Sequence, residues 1–286
     1  MMQEPAVDIG EIVLHHTSDE YSIGMEPFWK LEWGKWPDLH LGSLTLNLTP
    51  TKHVIFMVLA AVLVFLTMWV AGRSLKRQGA GSKAPKGFAN AIEGVVLFIR
   101  NDVAIANIGE NGARFAPLVM AVFFFVLYMN LLGLVPWGAA ATGNLMVTAA
   151  MAFMVFLVVE ISGMRALGFR GYLGTIFPHI PGMHGVGGAA LTLAIAPIEL
   201  LGKFTKPFAL AIRLFGNMIV GHFVILSLFG IIFLFGHLQG WNYLIGGTTA
   251  ALVVAIMALE LFVAFLQAYV FALLTATFIG MLQQEH

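Results

Sequence analysis

The stretch VIFMVLAAVLVFLTMWVA, residues 54–71, contains no charged residue and a single hydroxyl, that of Thr67. As a helix it is long enough to cross the roughly 30 Å hydrocarbon core of a bilayer. The whole chain has the same character. Of its 286 residues, 59% are hydrophobic and 10% are charged, against about 25% charged in a soluble domain. The chain is therefore read as an all-α integral membrane protein. A formal net charge of zero argues against nucleic acid as the main partner. The absence of cysteine excludes disulfides and thiolate metal sites. The first residues, MMQEPAVDIGEIVLHH, lack the basic-then-apolar order of a signal peptide and are expected to belong to the mature protein.

Outward from this run, the expected organisation is an extracytoplasmic N-terminal segment, 1–50, and a single membrane domain, 51–286. Before the run, Leu39, Leu41, Leu44, Leu46 and Leu48 mark a short extended piece at the surface. After it, the segment GRSLKRQGAGSKAPKG carries Arg73, Lys76, Arg77, Lys83 and Lys86. By the positive-inside rule this end is cytoplasmic and the N-terminus lies outside. Residues 88–109 mix apolar positions with Glu93, Arg100 and Asp102, as an amphipathic helix on the inner surface would. Two further spans are expected at about 115–135, stopped by Pro136, and 145–161, followed by the basic Arg165 and Arg170. Glycine-rich residues 168–188 then read as a cytoplasmic-side loop.

The remaining apolar runs, 189–235 and 243–282, are longer than a bilayer needs. Phe208 to Phe235 alone would be about 42 Å of helix, so these two helices must tilt strongly or bend. Pro197 and Pro207 supply sites for bending. The expectation is five spans and one surface helix, with the last two spans forming a long tilted hairpin and the C-terminal QQEH inside.

Those two helices carry Glu199, Lys203, Lys206, Arg213, Asn217, His222, Glu260 and Gln267. A charge at mid-membrane costs from about 2.5 to more than 10 kcal/mol, and the default reading of such residues is an ion path. The alternative for Arg213 is a static ion pair, but no acid lies one helical turn away from it. Lys203 and Lys206 have a simpler reading, at the cytoplasmic surface with their stems snorkelling to water. In an antiparallel hairpin, pairing Arg213 with Gln267 and His222 with Glu260 puts the turn at nearly one point, inside HLQGWN (237–242). His222 and Glu260 then lie about 13 Å further out than Arg213. Asn217 shares the Arg213 face, whereas His222 lies about half a turn round. Arg213 and His222 therefore do not address the same surface from a straight helix.

KPFALAIRLFGNMIVGH, residues 206–222, resembles the signature of the membrane-embedded a subunit of F-type ATP synthases. The resemblance continues through IAPIELLGKFTKPF and ELFVAFLQAYVFALLTATFIGM, and through FAPLVMAVFFFVLYMNLLGLVP and GNLMVTAAMAF. It covers most of residues 85–286. It implies that Arg213 faces the carboxylate of a rotating c-ring, with Gln267 beside it and Asn217 joining the polar lining. It implies an outer aqueous half-channel with His222, Glu260, Asn130 and Asn144, the His and Glu being exchanged relative to some members. Glu199 matches an acid near the inner half-channel, and Gly133 stands where some members carry Asp. The implied partners are the c-ring, b-type peripheral stalk subunits, the rest of the complex and the bilayer. The implied location is a bacterial inner membrane, and no cofactor is implied. In this picture a guanidinium that keeps its proton attracts each c-ring carboxylate and blocks a direct leak between two offset half-channels.

Other constellations are weaker. His179 and His184 lack a neighbouring acid or thiol to complete a metal site, and His15 and His16 read as solvated. Glu160 has two readings, as lining of the inner half-channel or as a side chain reaching the interface. GVGG, residues 185–188, is not followed by the lysine of a phosphate loop, so nucleotide binding is not expected. A secondary transporter would show internal repeats, and an intramembrane enzyme would need a nucleophile and base at one depth. The sequence carries neither, which favours a channel subunit with one fixed charge and two polar routes.

Overall fold

The computed structural model describes residues 21–25, 29–41, 44–78, 88–135, 138–177, 186–235 and 241–284. The expectations for His15, His16, Lys83, Lys86, Pro136, His179, His184, Gly185, the turn at 237–240 and the last two residues fall outside these ranges.

The described elements begin with two antiparallel hairpins. β1 (Ser22–Met25) pairs with β2 (Trp29–Glu32), and β3 (Leu39–Leu41) pairs with β4 (Leu44–Leu46). The alternating leucines thus form strands, with Leu39 opposite Leu46 and Leu41 opposite Leu44. The helices follow: α1 (Lys52–Gln78), α2 (Phe88–Phe98), a π-helical turn (Ile99–Ile105), α3 (Ala106–Ile108), α4 (Gly112–Gly133), α5 (Leu145–Ile176), α6 (Val186–Phe235) and α7 (Trp241–Gln284). Among them, α1, α4, α5, α6 and α7 are long and apolar enough to cross a membrane. Phe65, Met154, Leu201, Phe208 and Phe262 are each more than 60% exposed. In water each such side chain would forgo about 1.5–3 kcal/mol of burial; against lipid it forgoes nothing comparable. The chain is an all-α integral membrane protein with two small hairpins added before its first span.

The residues group into two compact units. One comprises Met1–Leu63, Phe125–Asn144 and Leu214–Gln267; the other comprises Val64–Phe124, Leu145–Arg213 and Ala268–His286. In the first unit, the N-terminal segment is tied to the start of α1. The Trp33 indole donates to the Pro50 carbonyl at 2.7 Å, and the Trp36 amide donates to the Thr49 hydroxyl at 2.9 Å. Asn47 caps the same corner, its side-chain oxygen accepting from the Thr49 amide at 2.8 Å.

In the second unit, the segment expected as a surface helix buries Ile92, Val96, Ile99, Val103, Ala104 and Ile108. Their spacing of three and four is the inward face of a helix. The π-helical turn adds a residue to the ladder, and adjacent Val103 and Ala104 are both buried within it. Phe98 stacks on Tyr269 of α7, ring centroids 5.9 Å apart. Gly109, at φ 85°, ends the segment in a conformation few other residues adopt. The Gly112 amide closes the turn onto the Gly109 carbonyl at 2.8 Å.

Two expectations about α5 change. Its helix does not stop at 161 but runs to Gly168, which adopts φ 68°, and a second helical piece continues to Ile176. The first part of the expected glycine-rich loop is therefore helical. Arginines at 165 and 170 ended the apolar run, but a helix needs only its own backbone hydrogen bonds and continues beyond the apolar stretch. α6 has 50 residues with Pro197 and Pro207 inside one helix, about 75 Å if straight. That is more than twice the hydrocarbon thickness of about 30 Å.

Gly280 of α7 shows how closely the second unit is packed. A Cβ there would lie 2.1 Å from the Asn107 backbone carbonyl oxygen. Backbone cannot swing aside as a side chain can, so Gly280→Ala is expected to destabilise the protein by about 1–3 kcal/mol. An unchanged melting temperature of the purified variant would contradict this packing.

Candidate functional site

The first unit holds four of the eight residues singled out on α6 and α7: Asn217, His222, Glu260 and Gln267. Gln267 is 4% exposed, and its side-chain oxygen accepts from the Asn217 amide at 2.8 Å. Asn217 itself is exposed. Five residues further along α6, His222 meets two carbonyl oxygens. Its Nδ1 lies 3.1 Å from the Met218 carbonyl and its Nε2 lies 3.0 Å from the Gly133 carbonyl at the end of α4. A neutral imidazole has one N–H and serves one of these acceptors; the doubly protonated ring serves both. His53, 4% exposed at the start of α1, lies within electrostatic reach of the same ring.

Glu260 does not join His222. No ion pair links them, and among the described residues neither carboxylate oxygen of Glu260 has a hydrogen-bond partner, although both are buried. The carboxylate instead occupies the space left by a missing side chain. A Cβ on Gly221 would lie 1.8 Å from Glu260 Oε1. In place of the expected His–Glu pair stand an imidazole held by backbone carbonyls and a carboxylate lodged against Gly221, the residue before His222. Asn130 is 3% exposed and accepts from the Thr142 hydroxyl at 2.8 Å. Asn144, half-buried, follows the short 3₁₀ turn Ala141–Gly143.

The second unit holds the inner candidates. Glu160 on α5 is 8% exposed. Its Oε2 accepts from the Tyr172 hydroxyl and lies 3.4 Å from Lys203 Nζ on α6. Lys203 also donates to the Thr175 hydroxyl at 2.9 Å and sits 4.2 Å from the Tyr172 ring centroid. Lys203 is therefore not a surface lysine, as its sequence position implied; its side chain is 13% exposed. Thr175 and Tyr172 lie in the part of α5 expected to be loop, which hid both partners. A cavity of about 120 Å³ is lined by Glu160, Thr175, Glu199, Lys203, Lys206 and Phe278, among others. It brings Glu160 and Glu199 together. Lys206 lies 5.1 Å from the Phe278 ring centroid. Phe278 also borders a smaller cavity, about 30 Å³, walled by Phe156, Pro207, Leu210 and Phe271. That second space is almost wholly apolar: the Thr275 hydroxyl on its wall already donates to the Phe271 carbonyl at 2.7 Å.

Glu199, Lys203, Lys206, Leu210 and Arg213 recur at spacings of four and three along α6, which puts them on one stripe of the helix. From Glu199 to Arg213 that stripe is about 21 Å long. Arg213 is exposed, and among the described residues no hydrogen bond or ion pair reaches it.

Residues 54–280 match the protein family described as ATP synthase A chain. The chain is 43% identical over 274 residues to "ATP synthase subunit a 2" of Chlorobaculum tepidum, covering 95% of this chain and 72% of that protein. It is 47% identical over 252 residues to "ATP synthase subunit a" of Myxococcus xanthus, covering 86% and 76%. It is 43% identical over 270 residues to the protein of the same name from Chloroherpeton thalassium, covering 94% and 75%.

Gly133 has no room for a side chain. A Cβ there would lie 2.6 Å from both Ala140 Cβ and Met218 Cε. Gly133→Asp is therefore expected to destabilise the protein by about 1–3 kcal/mol and to weaken the hold on His222. At Gly143, a Cβ would meet only Ala140 Cβ at 3.6 Å, so Gly143→Ala should stay within about 0.5 kcal/mol of the parent. Thermal unfolding of the two variants side by side checks the contrast; equal stability would refute it.

Proposed function

Because the chain belongs to the ATP synthase A chain family, the family of subunit a in F-type ATP synthases, we propose that it conducts protons through two offset half-channels to and from a c-ring carboxylate. It is a multi-pass membrane protein that takes part in proton transport for ATP synthesis. It acts there as a stator and channel and carries no catalytic centre of its own. Its partners in this reading are the c-ring, b-type stalk subunits, the rest of the complex and the lipid around them. The reading places it in a bacterial inner membrane, with the N-terminus outside and the C-terminus in the cytoplasm.

The observation that carries this reading is Arg213. A guanidinium stays charged at any physiological pH, and leaving it unpaired in hydrocarbon is costly. It is exposed and unpartnered among the described residues, so its anion comes from another chain. A ring carboxylate that arrives, loses its proton beside Arg213 and leaves again fits that vacancy. Gln267 and Asn217, bonded to each other, make a neutral polar lining that does not neutralise Arg213.

Outside, Asn130, Asn144, His222 and Glu260 form the proposed route by which a proton reaches the ring. Glu260 supplies an unoccupied carboxylate, and His222 supplies a ring able to hold one proton or two between its two carbonyls. Inside, Glu199 and Glu160 border the polar cavity through which the proton leaves. The fixed charge of Arg213 opposes direct passage between the outer and inner routes. Each charge carried through 100 mV releases about 2.3 kcal/mol, and several per turn would drive rotation.

Arg213→Ala in the assembled complex is expected to abolish ATP-driven acidification of inverted membrane vesicles; persistence of coupled pumping would refute the reading. Gly221→Ala tests the outer route. Its Cβ displaces the flexible end of Glu260 and no backbone, so stability should hold while pumping falls by about tenfold or more from a misplacement of about 1 Å. Normal pumping with normal stability would remove Glu260 from the route.

A further inference from the structure

We propose that Lys203 and Glu160 form a fixed, charge-cancelling pair, positioned by Tyr172 and Thr175, which takes Glu160 out of proton exchange and leaves Glu199 in the inner-route role given to it above. This rests on the half-channel reading above and assigns roles within it.

The two acids differ in how fully they are occupied. Glu160 is 8% exposed, and its Oε2 is approached by two donors, the Tyr172 hydroxyl and the Lys203 ammonium. An oxygen already serving two donors is a poor landing place for a third proton. The ammonium of Lys203 is enclosed in turn: Glu160 on one side, the Thr175 hydroxyl at 2.9 Å on another, and the Tyr172 ring at 4.2 Å. Three contacts of different chemistry hold it where it cancels the Glu160 charge. Glu199 stands one turn before Lys203 on the same stripe of α6 and lines the same cavity. It is exposed, and among the described residues it has no hydrogen bond or ion pair. Of the two acids bordering the cavity, it is the one whose carboxylate is open on both oxygens.

The physical need for the pair follows from its place. A lone ammonium in a partly desolvated exit would repel every departing proton. A lone second carboxylate would trap them. Each charge alone is harmful there, and together they present a neutral wall to a proton moving between the ring and Glu199. The arrangement also joins the last part of α5 to α6, which fixes the cavity's outline.

The test is charge balance, read as the rate of ATP-driven acidification in inverted vesicles bearing the whole complex, normalised to the amount of complex in the membrane. Glu160→Gln uncovers Lys203 and is expected to slow pumping by about tenfold, as loss of one partner of a buried ion pair implies. Adding Lys203→Met removes the uncovered charge and is expected to return the rate to within about twofold of the parent, the signature of coupled neighbours. Glu199→Gln is expected to lose about tenfold or more, and adding Glu160→Gln with Lys203→Met does not recover it. If the Glu160→Gln/Lys203→Met protein pumps as poorly as Glu160→Gln, Glu160 is itself a relay and the proposal is overturned. If Glu199→Gln pumps like the parent, the proposal is overturned from the other side. Should Glu160→Gln fail to accumulate, Tyr172→Phe removes one donor and no charge. It should pump within about threefold of the parent, as loss of one hydrogen bond implies; a greater loss counts against a purely positioning role for Tyr172. None of these outcomes alters the Arg213→Ala result, so the two readings fail independently.

Discussion

Moving a guanidinium, ammonium or carboxylate from water to the middle of a bilayer costs from about 2.5 to more than 10 kcal/mol, and the rest of the structure depends on how each such charge is met. The chain answers in three ways. Lys203 and Glu160 meet each other, with a phenol and a hydroxyl completing the contacts. Glu260 is given room beside Gly221 but no partner among the described residues. Arg213 is left exposed. The first is a resting arrangement. The other two have no partner among the described residues, which is why the proposed ion path runs through them.

Glycine does much of the positioning in both units. At Gly133 the missing Cβ lets Ala140 and Met218 approach, and the freed carbonyl reaches His222. At Gly221 the missing Cβ admits a carboxylate. At Gly280 it admits the backbone of the α3 segment. His222 and Glu260 are thus placed less by each other than by backbone and by absent side chains. A carbonyl oxygen also differs from a second ionisable group in that it holds the imidazole without taking up a proton itself.

The membrane architecture was legible because hydrocarbon imposes a strong and simple rule on composition. Runs such as 54–71 and 243–282 admit little besides a membrane helix, and the structure places long helices on each of them. The alternating leucines before α1 were legible for the same kind of reason, a period of two being a strand's. The end of α5 was not. Its continuation past Gly168 to Ile176 has no apolar stripe to announce it, since outside the apolar layer a helix is held by backbone bonds that any sequence without proline can make. The misplacement of Lys203 followed from this: with Tyr172 and Thr175 read as loop, nothing in the sequence brought a partner to it.

By itself, the sequence determined that the chain is a membrane protein of long helices, and the motif around Arg213 pointed to the family to which residues 54–280 belong. It could do so because charge scarcity and a rare arginine in an apolar run are properties of composition and order. Which polar groups touch was decided only by the tertiary structure. Pairing Asn217 with Gln267, Asn130 with Thr142, Glu160 with Lys203 and Tyr172, and His222 with two carbonyls, depends on side-chain direction to within an ångström or two. Helical spacing fixes the face a residue occupies, but not the neighbour it meets there. That is set by packing between segments distant in sequence, and here by the glycines that let those segments close.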